Sequence, residues 1–252
     1  MKKFHEDSFI KKMYSKFIFG KRGIDVNMQT GIIEYNDKEK TKIDCNALYL
    51  LRHGHTGGTQ ENKFMSDISE NAHICKKGIL RITELEGCCE KYDFDIVIRC
   101  SDIARVVETT EIFRLVNPKT KYIYKNKYKG INNKGWEGRD FTSFEGKDLL
   151  DFEEREIKHN IFAKSSEGES WNQVIKNCLK LIKYINRNHK GKRILLIGQG
   201  SIIKGIEILI GSKKTPWEGY NVRTLYNFEK QNPKDNYGTI SCIFDKNEEK
   251  NK

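Results

Sequence analysis

The chain has 252 residues, which is enough for one large α/β domain or two small ones, and we favour one domain with an N-terminal extension. Its formal net charge of +11 favours anionic partners such as nucleic acid, acidic membrane surfaces or phosphorylated metabolites. The lysines are scattered along the chain, and neither zinc-finger spacing nor a basic and aromatic pattern is present, so we do not expect nucleic-acid binding.

Cysteine usage and hydropathy indicate the compartment. The seven cysteines are odd in number and lack the CxxC spacing of metal sites, and no secretory leader precedes Lys11. We therefore expect reduced thiols in an intracellular, cytoplasmic protein. The longest apolar stretch, residues 194–210, contains Gln199, Lys204 and Glu207, so no membrane span is predicted.

Residues 1–44 form a predicted N-terminal extension. Ser8 is placed to cap a short helix whose apolar residues recur at helical spacing with lysines between them. Such a helix either docks on the domain or makes a weak contact with an acidic membrane or a protein. Residues 20–44 suit a loop or a short hairpin around Gly31. At the other end, residues 246–252 are predicted to be disordered.

The most informative segment is LYLLRHGHT, residues 48–56. A continuous apolar run predicts a strand buried on both faces, and the run ends abruptly in Arg52, His53 and Gly54. Ligands of open α/β sheets bind just past the carboxyl ends of such strands. Gly57, Gly58 and Thr59 then predict a flexible loop able to fold over a bound anion.

Alternating strand and helix patterns follow. A helix opening at Gly78 should place Ile79, Ile82 and Leu85 on one face and end near Cys89. The later predicted elements are a strand at 94–99, a helix capped by Ser101-Asp102 and stopped by Pro118, and a short strand at 122–124.

The second half of the chain continues this alternation. Residues 125–168 predict an insertion over the sheet edge, with a Gly-Trp-Glu-Gly turn at 135–138. Ser170 and Gln173 form a capping-box pattern before an amphipathic helix. The remaining predictions are a strand at 193–197, a helix at 202–210 and a strand at 239–244. The order indicates an α/β fold with a mainly parallel sheet and helices on both faces.

Charged and polar residues at three predicted strand ends point to phosphate chemistry. Two arginines, Arg52 and Arg105, can clamp phosphate oxygens, and the helix N-terminus after Gln199 offers backbone N–H groups. His53 could then attack phosphorus. The alternatives are that His53 is a buried core histidine and that Arg105 pairs with Glu108 or Asp102 on its own helix.

The order of several short motifs resembles the histidine phosphatase superfamily, also called phosphoglycerate mutase-like. The motifs, over most of residues 48–210 and again at 236–244, are RHGHT at 52–56, a loose ICKKG at 74–78, SDIARVVETT at 101–110, WEG at 136–138 and GES at 168–170. The resemblance implies a three-layer α/β/α fold, a phosphohistidine formed at His53, and phosphate binding by Arg52 and Arg105. It implies no metal and no cofactor.

Three further positions follow from this resemblance. Thr59 stands where the family commonly has Asn, and its hydroxyl could bind phosphate. Gln199, beside Gly200, replaces the family's second histidine, and loss of that charged contact would cost about 2 to 4 kcal/mol of transition-state stabilisation. This replacement fits either a modified active site or a protein that no longer catalyses.

The family's general acid has no counterpart in the expected place. Counting back six residues from Trp136 reaches Gly130, so no carboxylate is there. Glu137 is the nearest carboxylate in sequence and our candidate acid, with Asp140 and Glu145 as alternatives. Trp136 itself is expected to be a packing residue rather than a substrate platform.

These observations predict a phosphomonoester hydrolase of reduced activity that acts on a phosphorylated substrate. The first alternative is a catalytically impaired relative that binds phosphorylated ligands or protein partners. The second is a phosphoglycerate mutase, which would benefit from every charged contact that this chain lacks. A homodimer is a further expectation from the resemblance.

Overall fold

A computed structural model describes residues 24–26, 33–35, 41–60, 64, 72–139, 143–158, 160–211, 216–217 and 237–249. Its centre is a five-stranded sheet in the order β5-β4-β6-β3-β7. The strands are β3 (Ala47–Arg52), β4 (Ile96–Arg99), β5 (Lys121–Tyr124), β6 (Arg193–Gly198) and β7 (Ile240–Asp245). The first four are parallel, and β7 pairs with β3 antiparallel. The predicted α/β fold is confirmed.

Helices lie on both faces of this sheet. Their bounds are α1 (Gly57–Gln60), α2 (Lys76–Thr83), α3 (Cys88–Lys91), α4 (Ala104–Val116), α5 (Gly146–Phe152), α6 (Trp171–Asn188), α7 (Gly200–Leu209) and α8 (Lys246–Glu249). A π-helix, Glu153–Ile157, continues α5.

Two apolar cores result from the alternation of side chains along β3. Leu48 and Leu50 face one core with α6 and α7, whereas Tyr49 and Leu51 face the other with α2 and α4. Because both faces of β3 are covered, its apolar residues run without interruption. The predicted buried strand is therefore confirmed, and Arg52 and His53 follow it at the carboxyl edge of the sheet.

Several local predictions differ from the structure. Thr59 lies in the short helix α1 rather than in an open loop, because the Thr56 and Thr59 hydroxyls each accept a hydrogen bond from the other residue's N–H. Ile79 is 43% exposed, while Ile82 is buried. Ser170 is the N-cap of α6 as predicted, but its side chain makes no capping hydrogen bond.

The chain ends also differ from expectation. Strands β1 (Ile24–Val26) and β2 (Ile33–Tyr35) pair antiparallel, which agrees with the hairpin alternative for this region. Residues 246–249, predicted to be disordered, form α8, whose Asn247 N–H donates to the Asp245 carboxylate. The helix predicted after Ser8 lies outside the described residues. Among the helices described, none has the length and apolar character that a bilayer crossing requires.

Candidate active site

A cavity of about 350 Å³ opens at the carboxyl ends of β3, β4 and β6. Three strand-to-helix connections meet there, as expected for an open α/β sheet. Five predicted site residues line it together. They are Arg52, His53, Arg105, Gln199 and Gly200.

The ring of His53 is held in one tautomer. Its side chain is only 4% exposed, and Nδ1 lies 3.0 Å from the carbonyl oxygen of Gly54. A carbonyl oxygen can only accept, so Nδ1 carries the proton and Nε2 keeps its lone pair. The Tyr237 ring lies 5.3 Å from the imidazole, centroid to centroid. This arrangement leaves Nε2 as the nucleophilic atom.

The surroundings of His53 also keep it neutral. Burial lowers the pKa of His53 well below its ordinary value of 6.5, and the nearby charges of Arg105 and Arg52 lower it further. The hydrogen bond to Gly54 opposes this shift. A neutral imidazole is the form that attacks an electrophile, so the same cations that would bind a phosphoryl group prepare the nucleophile.

Each arginine has a distinct support. The Arg52 guanidinium carbon stands 3.6 Å from the centroid of the Tyr237 ring, which is a cation–π contact. Arg105, only 3% exposed, is in the first turn of α4. The carboxylates proposed as its alternative partners contact other groups: Glu108 accepts from Ile74 N–H, and Asp102 pairs with Lys129.

A threonine that the sequence analysis did not single out ties α4 to the His53 loop. The Thr109 hydroxyl donates to the Arg105 carbonyl at 2.6 Å and accepts from Gly54 N–H at 3.0 Å. Gly54 also approaches Gly78 so closely that a Cβ on Gly78 would collide with the backbone of His55. The glycines of the RHG and ICKKG motifs are thus required by close packing of backbones.

The two departures from the family pattern meet in space. Gly130 N–H donates to the Gln199 side-chain oxygen at 2.7 Å, and Ile131 N–H donates to the Ser201 hydroxyl at 2.9 Å. A Cβ on Gly130 would collide with Ser201 and Gln199. Gln199 and a glycine at 130 therefore fit each other, and the Gln199 amide nitrogen remains directed near the Ile131 carbonyl at 3.5 Å.

Two predicted site residues do not line the cavity. The Thr59 hydroxyl donates to the Thr56 carbonyl at 2.8 Å and serves the local fold of α1. Glu137 is half-buried beside Trp136 but is not part of the lining. Of the alternative acids, Glu145 is exposed before α5, and Asp140 lies outside the described residues.

Other lining residues were missed by sequence reasoning. They come from distant segments: Phe64, Ile131, Asn133, Arg155, Glu156, Trp171, Ser201, Lys204 and Tyr237. Trp171 and Lys204 are on predicted helices, where position relative to the sheet edge was the available signal. The insertion that carries Arg155 and Glu156 has no periodic pattern, so its charges resembled those of a solvated surface.

The chain belongs to the histidine phosphatase superfamily (branch 1), whose family model matches residues 48–223. A comparison with functionally curated proteins gave no match.

Solved structures share the fold. YhfR of Bacillus stearothermophilus is 21% identical, with a TM-score of 0.57 over 68% of this chain and 84% of its own. The phosphoserine phosphatase of Entamoeba histolytica, in complex with 3-phosphoglyceric acid, is 21% identical, with a TM-score of 0.54 over 67% and 81%. A mycobacterial glucosyl-3-phosphoglycerate phosphatase is 15% identical, with a TM-score of 0.53 over 65% and 80%.

Proposed function

We propose that this protein is a phosphomonoester hydrolase that acts through a phosphohistidine at His53. The observation that carries this proposal is the tautomer of His53, because its Nδ1 proton is directed to the Gly54 carbonyl and leaves Nε2 free for attack. Arg52 and Arg105 line the same cavity and supply charge for the three non-bridging oxygens of a phosphoryl group.

The reaction has two displacements at phosphorus. In the first, His53 Nε2 forms a bond to phosphorus while the bond from phosphorus to the ester oxygen breaks, and the ester oxygen leaves with its electron pair. In the second, water forms a P–O bond, the P–N bond breaks, and His53 regains its lone pair while water gives up a proton. The pair of steps exchanges one difficult displacement for two easier ones.

The leaving oxygen lacks an evident proton donor in the described lining. Glu156 is the carboxylate there, and its two oxygens accept from Arg155 Nε at 2.7 Å and Trp217 Nε1 at 3.0 Å. These contacts fit an ionised acceptor better than an acid. Esters whose alcohols leave readily as anions, such as aryl phosphates, should therefore react much faster than alkyl phosphates.

One observation favours a second candidate, a binding protein for phosphorylated ligands. The pairing of Gln199 with Gly130 N–H replaces a cation with a neutral amide at the site of transfer. A neutral donor can still hydrogen-bond a phosphate oxygen, but it stabilises developing negative charge less than a charged one.

The test is turnover of a panel of aryl and alkyl phosphates by the unaltered protein and by His53→Ala. We expect turnover that His53→Ala lowers by about a thousandfold or more. Labelled phosphoryl groups should also be trapped on His53 after an alkaline quench. His189→Ala is the matched control, because His189 is buried beside Tyr184 outside the cavity. Phosphate binding without turnover of any compound would instead support the binding protein.

A further inference from the structure

Arg155 is a buried cation in the cavity wall that neither step of the proposed reaction uses. It lies in the π-helix Glu153–Ile157 and is 1% exposed. A π-helical turn inside a helix is uncommon and often occurs at functional sites. The burial of a guanidinium group is costly unless its charge and donors are matched.

The contacts of Arg155 account for only part of its hydrogen-bonding capacity. Its guanidinium carbon stands 4.3 Å from the centroid of the Trp136 ring, and Nε donates to Glu156 at 2.7 Å. Nη1 is buried without a hydrogen-bond partner within the described part of the chain. An unsatisfied buried donor of this kind costs about 1 to 3 kcal/mol, and an acceptor oxygen on a bound molecule would remove that cost.

The charges around the cavity indicate the same need. Four cationic side chains and one carboxylate are among the described lining residues, since Lys204 adds to Arg52, Arg105 and Arg155, and Glu156 opposes them. His53 contributes no charge because burial lowers its pKa. A phosphomonoester brings a charge of about −2, which leaves one positive charge unmatched. A second, singly charged anion would match it.

We propose that Arg155 binds a carboxylate of the substrate, so that the preferred substrates are phosphomonoesters whose alcohol carries a carboxylate. The proposal rests on the proposed function for its account of the phosphoryl end. A carboxylate suits this place because it is planar and small enough to share about 350 Å³ with a phosphoryl group. Its oxygens would accept from the guanidinium group where Glu156 does not.

The competing explanation is that Arg155 only packs between aromatic rings. Arg139 provides a matched comparison, because its guanidinium carbon lies 4.4 Å from the centroid of the Phe144 ring in the same aromatic cluster but outside the cavity lining. Methionine in place of either arginine keeps an apolar stem against the rings and removes the charge.

The experiment measures binding to protein carrying His53→Ala, in which phosphoryl transfer cannot occur. The probes are ortho-, meta- and para-carboxyphenyl phosphate, each compared with the matching neutral carboxamide, together with inorganic phosphate. We expect at least one carboxylate to bind about tenfold or more tightly than its carboxamide. Arg155→Met should abolish that preference and leave the affinity for inorganic phosphate within about twofold. Arg155→Lys should retain part of the preference, and Arg139→Met all of it.

The possible failures are distinguishable. If no carboxylate binds better than its carboxamide, the inference is overturned even when the unaltered protein hydrolyses aryl phosphates. A preference that persists in folded Arg155→Met also overturns it and assigns the effect to the general charge of the cavity. If the preference depends on Arg155 but the unaltered protein turns over no probe, the carboxylate site stands and the hydrolase proposal fails.

Discussion

At the scale of single residues, the site is defined by His53, whose charge state follows from its position. The imidazole is buried between two guanidinium groups, and its remaining polar contact fixes a tautomer. Buried charge is expensive, so the folded protein binds a proton at this ring less readily than the unfolded chain does. The nucleophile is therefore neutral at pH 7 without help from a neighbouring base.

The lowered pKa of His53 predicts a pH dependence of stability. Because the folded-state pKa lies below 6.5, the stabilisation is complete above that pH and is lost as pH falls below it. The free energy of unfolding should decrease by up to about 1.4 kcal/mol for each pH unit in that range, and the decrease should be smaller in His53→Gln. Urea unfolding at pH 7 and pH 5 measures this. His189→Gln serves as the control, and parallel profiles for the unaltered protein and His53→Gln would contradict the assignment.

Gln199 leads to a second residue-scale prediction. In Gln199→His, one ring nitrogen can accept from Gly130 N–H, as the amide oxygen does now, and the other can direct a proton into the cavity. We expect aryl phosphate turnover to rise by about tenfold to a hundredfold through the regained charge. Steady-state kinetics with and without His53→Ala in the same chain checks that the gain uses the same nucleophile. An unchanged or lower kcat would show that Gln199 does not contact the transferred group.

At the scale of elements, α4 and the His53 loop act as one unit because the Thr109 hydroxyl links the Arg105 carbonyl to Gly54 N–H. The helix thereby sets the position of both an arginine and the loop that orients the histidine. Sequence reasoning gave this helix and its arginine but not the link, since a threonine in a helix interior usually bonds only to its own preceding turn.

Thr109→Val tests this link. Gly54 N–H would lose its buried acceptor, which should cost about 1 to 3 kcal/mol of stability and lower kcat more than it raises KM. Thr110→Val is the matched control, because the equally buried Thr110 hydroxyl donates only to the Val106 carbonyl. Similar effects of the two substitutions on kcat would argue against a special role for Thr109.

At the scale of the whole molecule, three strands are joined by a polar cluster at the end of the sheet opposite the cavity. The Tyr49 hydroxyl and the Arg193 guanidinium both donate to the Asp245 carboxylate, which connects β3, β6 and the antiparallel β7. These donors hold the pKa of Asp245 below its ordinary value despite its burial. The cluster fixes the edge strand whose preceding segment carries Tyr237 into the active site.

Tyr49→Phe should lower the free energy of unfolding by about 1 to 2 kcal/mol at pH 7, because Asp245 loses a buried donor. The stabilisation by Asp245 is present above the unfolded pKa of 3.8 and is lost as pH falls through its lower folded value. Phosphate affinity should stay the same, since the cluster is distant along the strands from His53. Urea unfolding and phosphate titration measure the two quantities. A loss of affinity without a loss of stability would refute this separation.

The sequence by itself determined the buried strand β3, the arginine and histidine at its end, and the helix that presents Arg105. Each of these follows from consecutive residues, since an apolar run, a turn signal and a helical period are local. Only the tertiary structure decided that Glu137 and Thr59 stay outside the cavity, that Gly130 and Gln199 share a hydrogen bond across the fold, and that Arg155 enters the wall. Those outcomes depend on the paths of irregular segments, which packing against distant residues sets and no local pattern encodes.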